Sequence, residues 1–314
     1  MIPRAAHFLW LGQSMPWIYT LALRSALRRA ELDRVVLHHS HDLSEMPFWS
    51  ALSATPKLEL RRLDAFAVLE CCRPYGARLV DLYRALSDPR AQANVLRVAL
   101  LYAEGGVYLD TDTLTVRSLA DLCERGGVFC GVERLVFPAD VRLARPFAFT
   151  AAMLRTVARD TMRRLPRGWR WFRRVEHLYP SAVNNAILGA EPKHGFLAEL
   201  LERMLAVPES RRRVRYELGT TLLQRAVAAY RGSELRVYPP PVFYPLAPEI
   251  SQHWFRRTNA QDVFEVLTPE TRVVHWYASV RTQRAVQAAS PAWLRAHARD
   301  QLFSALALQI LSAS

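Results

Sequence analysis

The sequence predicts an α/β protein: a sheet with helices on both faces. Three observations lead there. Short β-rich apolar runs alternate with stretches of helical spacing along most of the chain. A helix signal from Asp88 to Glu104 stops at paired glycines and gives way at once to Val107-Tyr108-Leu109. The 314 residues, 51% of them apolar, suffice for one large core. The expected organisation is a single domain over 1–314, with a basic, aromatic helical insertion at 151–180 and a C-terminal helix at 290–314.

Each element has its own signal. Residues 6–11 form an apolar run closed by Gly12, read as a first buried strand. The run is too short for a signal peptide and lacks a small-residue cleavage site. Residues 17–30 have helical spacing and end in basic residues, as a helix C-terminus prefers. Residues 34–38 are β-rich, and 58–63 are a weaker strand. Asp88-Pro89 is a cap residue followed by proline at the first helical position. Residues 127–133 give another strand, 197–205 and 222–229 two helices, 237–248 a proline-rich loop and 272–274 a late strand. Residues 291–311 read as one amphipathic helix docked on the core.

The charge is lopsided. There are 42 Lys and Arg against 29 Asp and Glu, a net +13, and only Lys57 and Lys193 are lysines. That excludes an ordinary acidic enzyme surface and points either to an anionic partner or to the arginine bias of a GC-rich genome. Residues 153–179 concentrate arginines around Trp169, Trp171 and Phe172. The two readings are a solvated helical face with its aromatics packed inward, or a lobe that meets an anionic or lipid-linked acceptor. No apolar run reaches the ~18–20 residues of a membrane span. The four cysteines (Cys71, Cys72, Cys123 and Cys130) fit neither a zinc site nor a disulfide scaffold, so reduced thiols are expected. The expected location is the cytoplasm, with the inner face of the membrane as a peripheral position.

The most informative segment is Gly105-Gly106-Val107-Tyr108-Leu109-Asp110-Thr111-Asp112-Thr113. A strand ending in Asp-x-Asp puts two carboxylates on one side of the sheet's open end. Such a pair is costly unless a cation neutralises it, and a hard divalent ion, Mn²⁺ or Mg²⁺, does so. Asn94 and Arg97 lie three apart on the helix feeding this strand and share a face. Arg97 suits a diphosphate or sugar hydroxyl and Asn94 a sugar; the plain alternative is an exposed polar stripe.

At these residues the chain resembles a known family. The opening Ile2-Pro3-Arg4 through His7-Phe8-Leu9-Trp10-Leu11-Gly12 and the segment from Asn94-Val95-Leu96-Arg97 to Asp112 are similar to DXD-containing glycosyltransferases. The type is that of Och1 mannosyltransferases and globotriaosylceramide synthase, related to the catalytic domains of large clostridial glucosylating toxins. Asn184-Asn185-Ala186-Ile187, Gly219-Thr220-Thr221-Leu222, Phe243-Tyr244-Pro245 and His275-Trp276 follow in the family's order. The resemblance spans about residues 2–280. It implies a GT-A fold, a nucleotide-sugar donor, a divalent metal and retention of anomeric configuration.

Residue by residue, the resemblance implies that Leu9 and Trp10 lie at the nucleotide base and Tyr108 beside the ribose. It implies that Asn94 and Arg97 bind the donor sugar and phosphate. Asp110 would touch ribose or sugar and reach the metal, and Asp112 would be the firm ligand. Asn185 or Asn184 would face the donor sugar, His275 would sit by metal and diphosphate, and Trp276 would help close the pocket. The catalytic set is thus Asp110, Asp112, Arg97 and Asn185. Three positions depart from the pattern: Asn94 where the family usually has Asp, Thr220 where proline is common, and Ser279-Val280 in place of a final Ser-Trp.

Two other classes compete. Asp110-Thr111-Asp112-Thr113 also resembles the Asp-x-Asp opening of haloacid-dehalogenase phosphatases. That fold needs a downstream lysine and a paired acidic metal motif; Lys193 is the only lysine after residue 112, and no adjacent acidic pair follows. A nonenzymatic arginine-rich anion binder explains the charge but not the carboxylate pair. No nucleic-acid-binding signature supports a nucleic-acid partner.

Overall fold

The computed structural model describes residues 1–136 and 146–312. Its strands are β1 Ala5–Trp10, β2 Arg34–His39, β3 Leu58–Arg62, β4 Gly106–Leu109, β5 Thr113–Thr115, β6 Val128–Arg134, β7 Ser181–Ala190, β8 Leu235–Tyr238 and β9 Val273–His275. Seven of them form the central sheet, in the order β3-β2-β1-β4-β7-β6-β8. Strands β3, β2, β1 and β4 run parallel; β7 runs antiparallel between β4 and β6, and β8 is parallel to β6. A separate two-stranded antiparallel sheet joins β5 to β9. The α/β class expected from the sequence is observed, with a parallel-rich sheet covered on both faces.

Alternation along the strands sets the two faces. Leu9 and Tyr108 pack into one apolar layer with Leu96 and Leu101 of the helix Pro89–Glu104 and Leu197 of the helix Gly195–Leu205. Phe8, Val107 and Leu109 face the other layer, with Ala22 and Leu23 of the helix Thr20–Arg29. A third cluster lies under the C-terminal part, around Trp169, Trp254, Trp276 and Phe303.

The helix that feeds the central strand forms as its signals predict. The Asp88 side chain accepts from the Arg90 amide, Pro89 occupies the first turn, and the helix ends at Gly105 with φ 67°. Gly106 follows at φ 95°, where a Cβ would lie 2.7 Å from the Ala5 carbonyl. A left-handed pair this close to β1 needs glycine at both positions.

Three expectations are corrected. Val237 and Tyr238 are not loop: they close β8, pairing with Cys130 and Gly131, because the outer edge of β6 takes a partner before the prolines begin. The C-terminal helix is two helices, Pro291–Ala296 and Leu302–Ser312. The carbonyls of Arg299 and Asp300 accept from Ala260 and Thr258, which takes them out of any continuous helical ladder. Ala313 and Ser314 lie outside the described residues. The Asp-x-Asp pair, finally, is not held together by strand pleat. Both carboxylates sit in the turn between β4 and β5, where the Thr113 hydroxyl donates to the Asp110 carbonyl.

The basic stretch forms two helices, Pro146–Arg164 and Gly168–Val175. Trp169 and Phe172 are buried and Trp171 is exposed. The cysteines are free thiols, and burial raises the Cys72 and Cys130 thiols to about 12 and Cys123 to about 11.

Candidate functional site

The site forms where three pieces of chain meet at the carboxyl end of β4. The first is the exposed end of the sheet itself. The Asp110 amide donates to the Ala186 carbonyl at 2.8 Å, which ties the turn to β7. The Tyr108 hydroxyl donates to Asp110 Oδ1 at 2.8 Å. The second piece is β9. Pairing with β5 sets His275 opposite Thr113, and the Trp276 amide donates to the Asp112 carbonyl. His275 Nε2 then lies 3.0 Å from Asp112 Oδ1, while the Ala278 amide donates to Asp112 Oδ2 at 2.8 Å.

The third piece is the helix Pro89–Glu104. Its Asn94 and Arg97, one turn apart, both reach β7. Asn185 Nδ2 donates to Asn94 Oδ1 at 2.9 Å, and Arg97 Nη1 donates to the Asn185 carbonyl at 2.5 Å. Arg97 Nη2 lies 3.2 Å from Asp110 Oδ1, and its guanidinium sits over the Tyr108 ring at 4.6 Å. Asn185 is free to meet them because β7 slips register with β6 there. Cys130 pairs with Leu188 and Gly131 with Asn184, so residues 185–187 have no partner on β6. Asn184, next along, turns its side chain to the Ala186 amide.

Asp110, Asp112 and His275 offer one ligand atom each within 4.8 Å of one another. Two carboxylates and an imidazole are hard and borderline donors of the kind Mn²⁺ and Mg²⁺ accept. Asp112 is preset by His275 and the Ala278 amide, and His275 Nδ1 is buried without a hydrogen-bond partner. The donor set fits a divalent cation.

Charge balance in the site is local. Burial and the Asp112 charge push the Asp110 carboxyl up, against the pull of Arg97. Burial also raises Asp112, but the adjacent His275 and the Ala278 amide outweigh it and leave that carboxyl below the usual range. His275 is raised: burial opposes its charge, and Asp112 more than compensates.

Not every residue that the resemblance implies for the site meets at this point. Asn94, Arg97, Tyr108, Asp110, Asp112, Asn185 and His275 are joined by the contacts above. Trp10 is half-buried at the end of β1, donating from Nε1 to the Ser14 carbonyl. It packs on Tyr19, which stacks in turn on Trp276. Trp276 is fully buried against Tyr19 and Phe303 and forms a wall behind the site. Leu9 belongs to the apolar layer with Tyr108.

Two site residues, Glu133 and Tyr277, are not legible in the sequence, and a third, Gly219, enters it only through the Gly219-Thr220-Thr221-Leu222 match, with no role assigned. Glu133 on β6 is buried, and its Oε2 accepts from the Tyr277 hydroxyl at 2.7 Å. Burial is the main force raising its carboxyl. Tyr277 itself has φ 56°, a left-handed conformation costly for a side-chain-bearing residue unless its surroundings hold it. That turn is what aims the Ala278 amide at Asp112. Gly219, within the irregular turn Glu217–Thr221, backs onto Asn94. A Cβ there would lie 2.7 Å from Asn94 Nδ2 and 3.3 Å from Asn185 Nδ2. The only sequence signal for Glu133 is its place at the end of a β-rich run.

Part of the chain matches known proteins. Residues 31–128 match the family described as the glycosyltransferase sugar-binding region containing a DXD motif. That span holds Asn94, Arg97, Tyr108, Asp110 and Asp112 and ends before Asn185 and His275. Glucan organizing enzyme 1 of Cryptococcus neoformans var. grubii serotype A is 27% identical over 131 residues, 39% of this chain and 32% of that protein. The chain thus spans about a third of the length of this curated relative. Among solved structures, apo mouse xyloside xylosyltransferase 1 is similar at a TM-score of 0.46 and 16% identity, covering 88% of this chain and 99% of that one. The PaToxG glycosyltransferase is similar at 0.42 and 13%, covering 72% and 69%. The matched region thus contains the Asp-x-Asp that the turn between β4 and β5 seats beside His275, and its likeness to the DXD-containing sugar-binding region of glycosyltransferases covers that part of the chain.

Proposed function

We propose that the chain is a metal-dependent, retaining glycosyltransferase that takes its sugar from a UDP- or GDP-sugar. The observation that carries the reading is the cluster of Asp110, Asp112 and His275 directly beside the buried Arg97. Asp112 and His275 would hold Mn²⁺ or Mg²⁺, with Asp110 as the third donor. A bound divalent cation supplies Lewis-acid neutralisation of charge on a departing diphosphate.

The chain's own groups do the rest. Arg97 anchors Asp110 and presents fixed positive charge where the diphosphate departs. The Asn94–Asn185 pair offers amide donors and acceptors for sugar hydroxyls, and Tyr108 and Trp10 flank the nucleoside. Holding donor and acceptor together removes much of the entropic barrier. Retention would follow from attack on the face the diphosphate leaves: the bond from anomeric carbon to phosphate oxygen breaks, and the bond to the acceptor oxygen forms. The acceptor's proton passes to the leaving phosphate. Glu133 supports this route over a covalent one, since Tyr277 occupies its carboxylate and it is buried. The acceptor belongs to the glycans, lipids, proteins or small molecules.

The test is thermal stabilisation against UDP- and GDP-sugars with and without Mn²⁺, followed by assay of nucleoside diphosphate release. One donor should stabilise the protein only with metal, and Asp112→Ala should lose both that effect and turnover. Full donor binding by Asp112→Ala, or stabilisation by every donor without metal, would sink the assignment. The anomer released on slow donor hydrolysis, read by NMR, tests retention.

A further inference from the structure

We propose that the outer face of the helical pair Pro146–Arg164 and Gly168–Val175 is a docking surface for an anionic phospholipid membrane. Of thirteen large apolar side chains exposed among the described residues, seven lie between Phe149 and Leu178. They are not scattered. Leu154 (68% exposed), Val157 (62%) and Leu165 follow one another at helical spacing with Thr161 between, so they form one outward stripe. Trp171 (55%) on the adjacent helix and Leu178 in the turn after it repeat the pattern. Contiguous exposed apolar surface of this kind marks an interaction site.

The arginines of the pair divide into two sets. Arg159 pairs with Asp160 and Glu249, Arg163 with Asp160, Arg167 with Asp262, and Arg170 with Asp262 and Glu265. Arg173 donates to the Glu265 and Val266 carbonyls. Arg159, Arg167, Arg170 and Arg173 hold the pair to the body of the protein, while the Arg163–Asp160 pair lies within one helix. Arg164 and Arg174 are exposed and have no acidic partner among the described residues, whereas Arg155, likewise without one, is half-buried; Arg174 lies over the exposed Trp171 ring at 4.7 Å. Free guanidinium groups beside an apolar stripe with tryptophan suit the headgroup boundary of an anionic bilayer: the stripe enters the acyl edge, and the arginines meet phosphates. A second copy of this chain is a poor occupant, because each carries a net +13 and like charges would face each other. No described helix is long and apolar enough to cross a membrane, so contact would be along the surface.

The experiment is flotation of the full chain with vesicles of phosphatidylcholine alone or mixed with phosphatidylglycerol. Co-flotation is expected with the anionic vesicles, weakened by added salt, and not with the neutral ones. Leu154→Glu/Val157→Glu and, separately, Arg164→Glu/Arg174→Glu should each weaken it by on the order of tenfold or more. All four positions are exposed, so the thermal midpoint and donor stabilisation should not change. Absence of wild-type co-flotation, or co-flotation that neither variant affects, overturns the proposal. A concentration-dependent dimer abolished by Leu154→Glu/Val157→Glu would give the face to a second copy and overturn it equally.

Discussion

Arg97 and Asp110 face each other with 3.2 Å between Nη2 and Oδ1, and the same guanidinium donates to the Asn185 carbonyl. One side chain thus ties the helix before the Asp-x-Asp turn to the strand 88 residues further on. Arg97→Lys keeps the charge but has no fork to serve both partners. Turnover should fall by roughly 10²–10³-fold, the scale seen when one positioned donor to developing charge is lost. Stability should fall by at most about 3 kcal/mol, since Asp110 keeps some solvent contact. Steady-state kinetics and urea unfolding check the two parts separately.

Gly219 predicts a geometric effect with no change of charge. Gly219→Ala would drive a methyl into the Asn94 amide, so the Asn94–Asn185 pair must move. We expect a loss of about 1–3 kcal/mol in stability. The transfer rate should fall further than donor affinity. Equal effects on kcat and on the donor Kd would place the strain elsewhere.

Asn94→Asp introduces the residue usual at this position in the glycosyltransferases that the sequence resembles. Its Oδ1 still accepts from Asn185, so the fold should keep its thermal midpoint within a few degrees. The added negative charge beside the sugar should change which donor sugar stabilises the protein best, read from the same donor panel. An unchanged ranking would remove Asn94 from donor selection.

Glu133 is a positioning residue: through Tyr277 it holds the turn that presents the Ala278 amide to Asp112. Glu133→Gln keeps an acceptor for the Tyr277 hydroxyl and should stay within a few-fold of the parent. Glu133→Ala should lower kcat by on the order of tenfold or more with less effect on the donor KM. It should also raise the Mn²⁺ concentration needed for half-activity. A variant lowered in stability alone, with kcat and metal dependence intact, would reduce Glu133 to a packing role.

Acid should weaken the protein through His7 and His38, which stack between β1 and β2 with Nδ1 and Nε2 3.0 Å apart. Burial, then the nearby Arg34 and Arg61, lowers His7 to about 4. Burial, then His7 and Arg61, lowers His38 to about 3. Both are neutral in folded and unfolded chains above pH 6.5, so their full contribution is present there. Below 6.5 the unfolded chain binds protons that the folded chain refuses, and stability declines until the folded values are reached. His7 alone accounts for about 3 kcal/mol between pH 6.5 and 4. Urea midpoints across pH 7.5–4.5 should fall accordingly, and His7→Gln should flatten the slope.

The parts of the fold with local signals are legible in the sequence. Asp88-Pro89 and Gly105-Gly106 bracket one helix, because a capping carboxylate, a fixed φ and a left-handed exit act on the chain next to them. The first three strands and the Asp-x-Asp are readable for the same reason. What depends on distant partners is not. β7 carries no strand signal of its own although Asn184 and Asn185 stand out, since its existence rests on pairing with β4 and β6. The break in the C-terminal helices rests on Thr258 and Ala260 capturing carbonyls from another segment.

The sequence by itself determined which residue types could do the chemistry: two carboxylates, one arginine, an asparagine pair and a histidine. Its net charge of +13 also exceeds what the proposed diphosphate donor alone would call for. Only the tertiary structure decided how they meet. The carboxylates converge through a turn rather than a pleat, because β5 leaves the main sheet to pair with β9 and brings His275 to Asp112. The arginines of the helical pair likewise divide: Arg159, Arg167, Arg170 and Arg173 bind it to the body, and Arg164 and Arg174 are left facing solvent. That division is a matter of which acidic groups lie within reach, and distance across the fold is not written in sequence order.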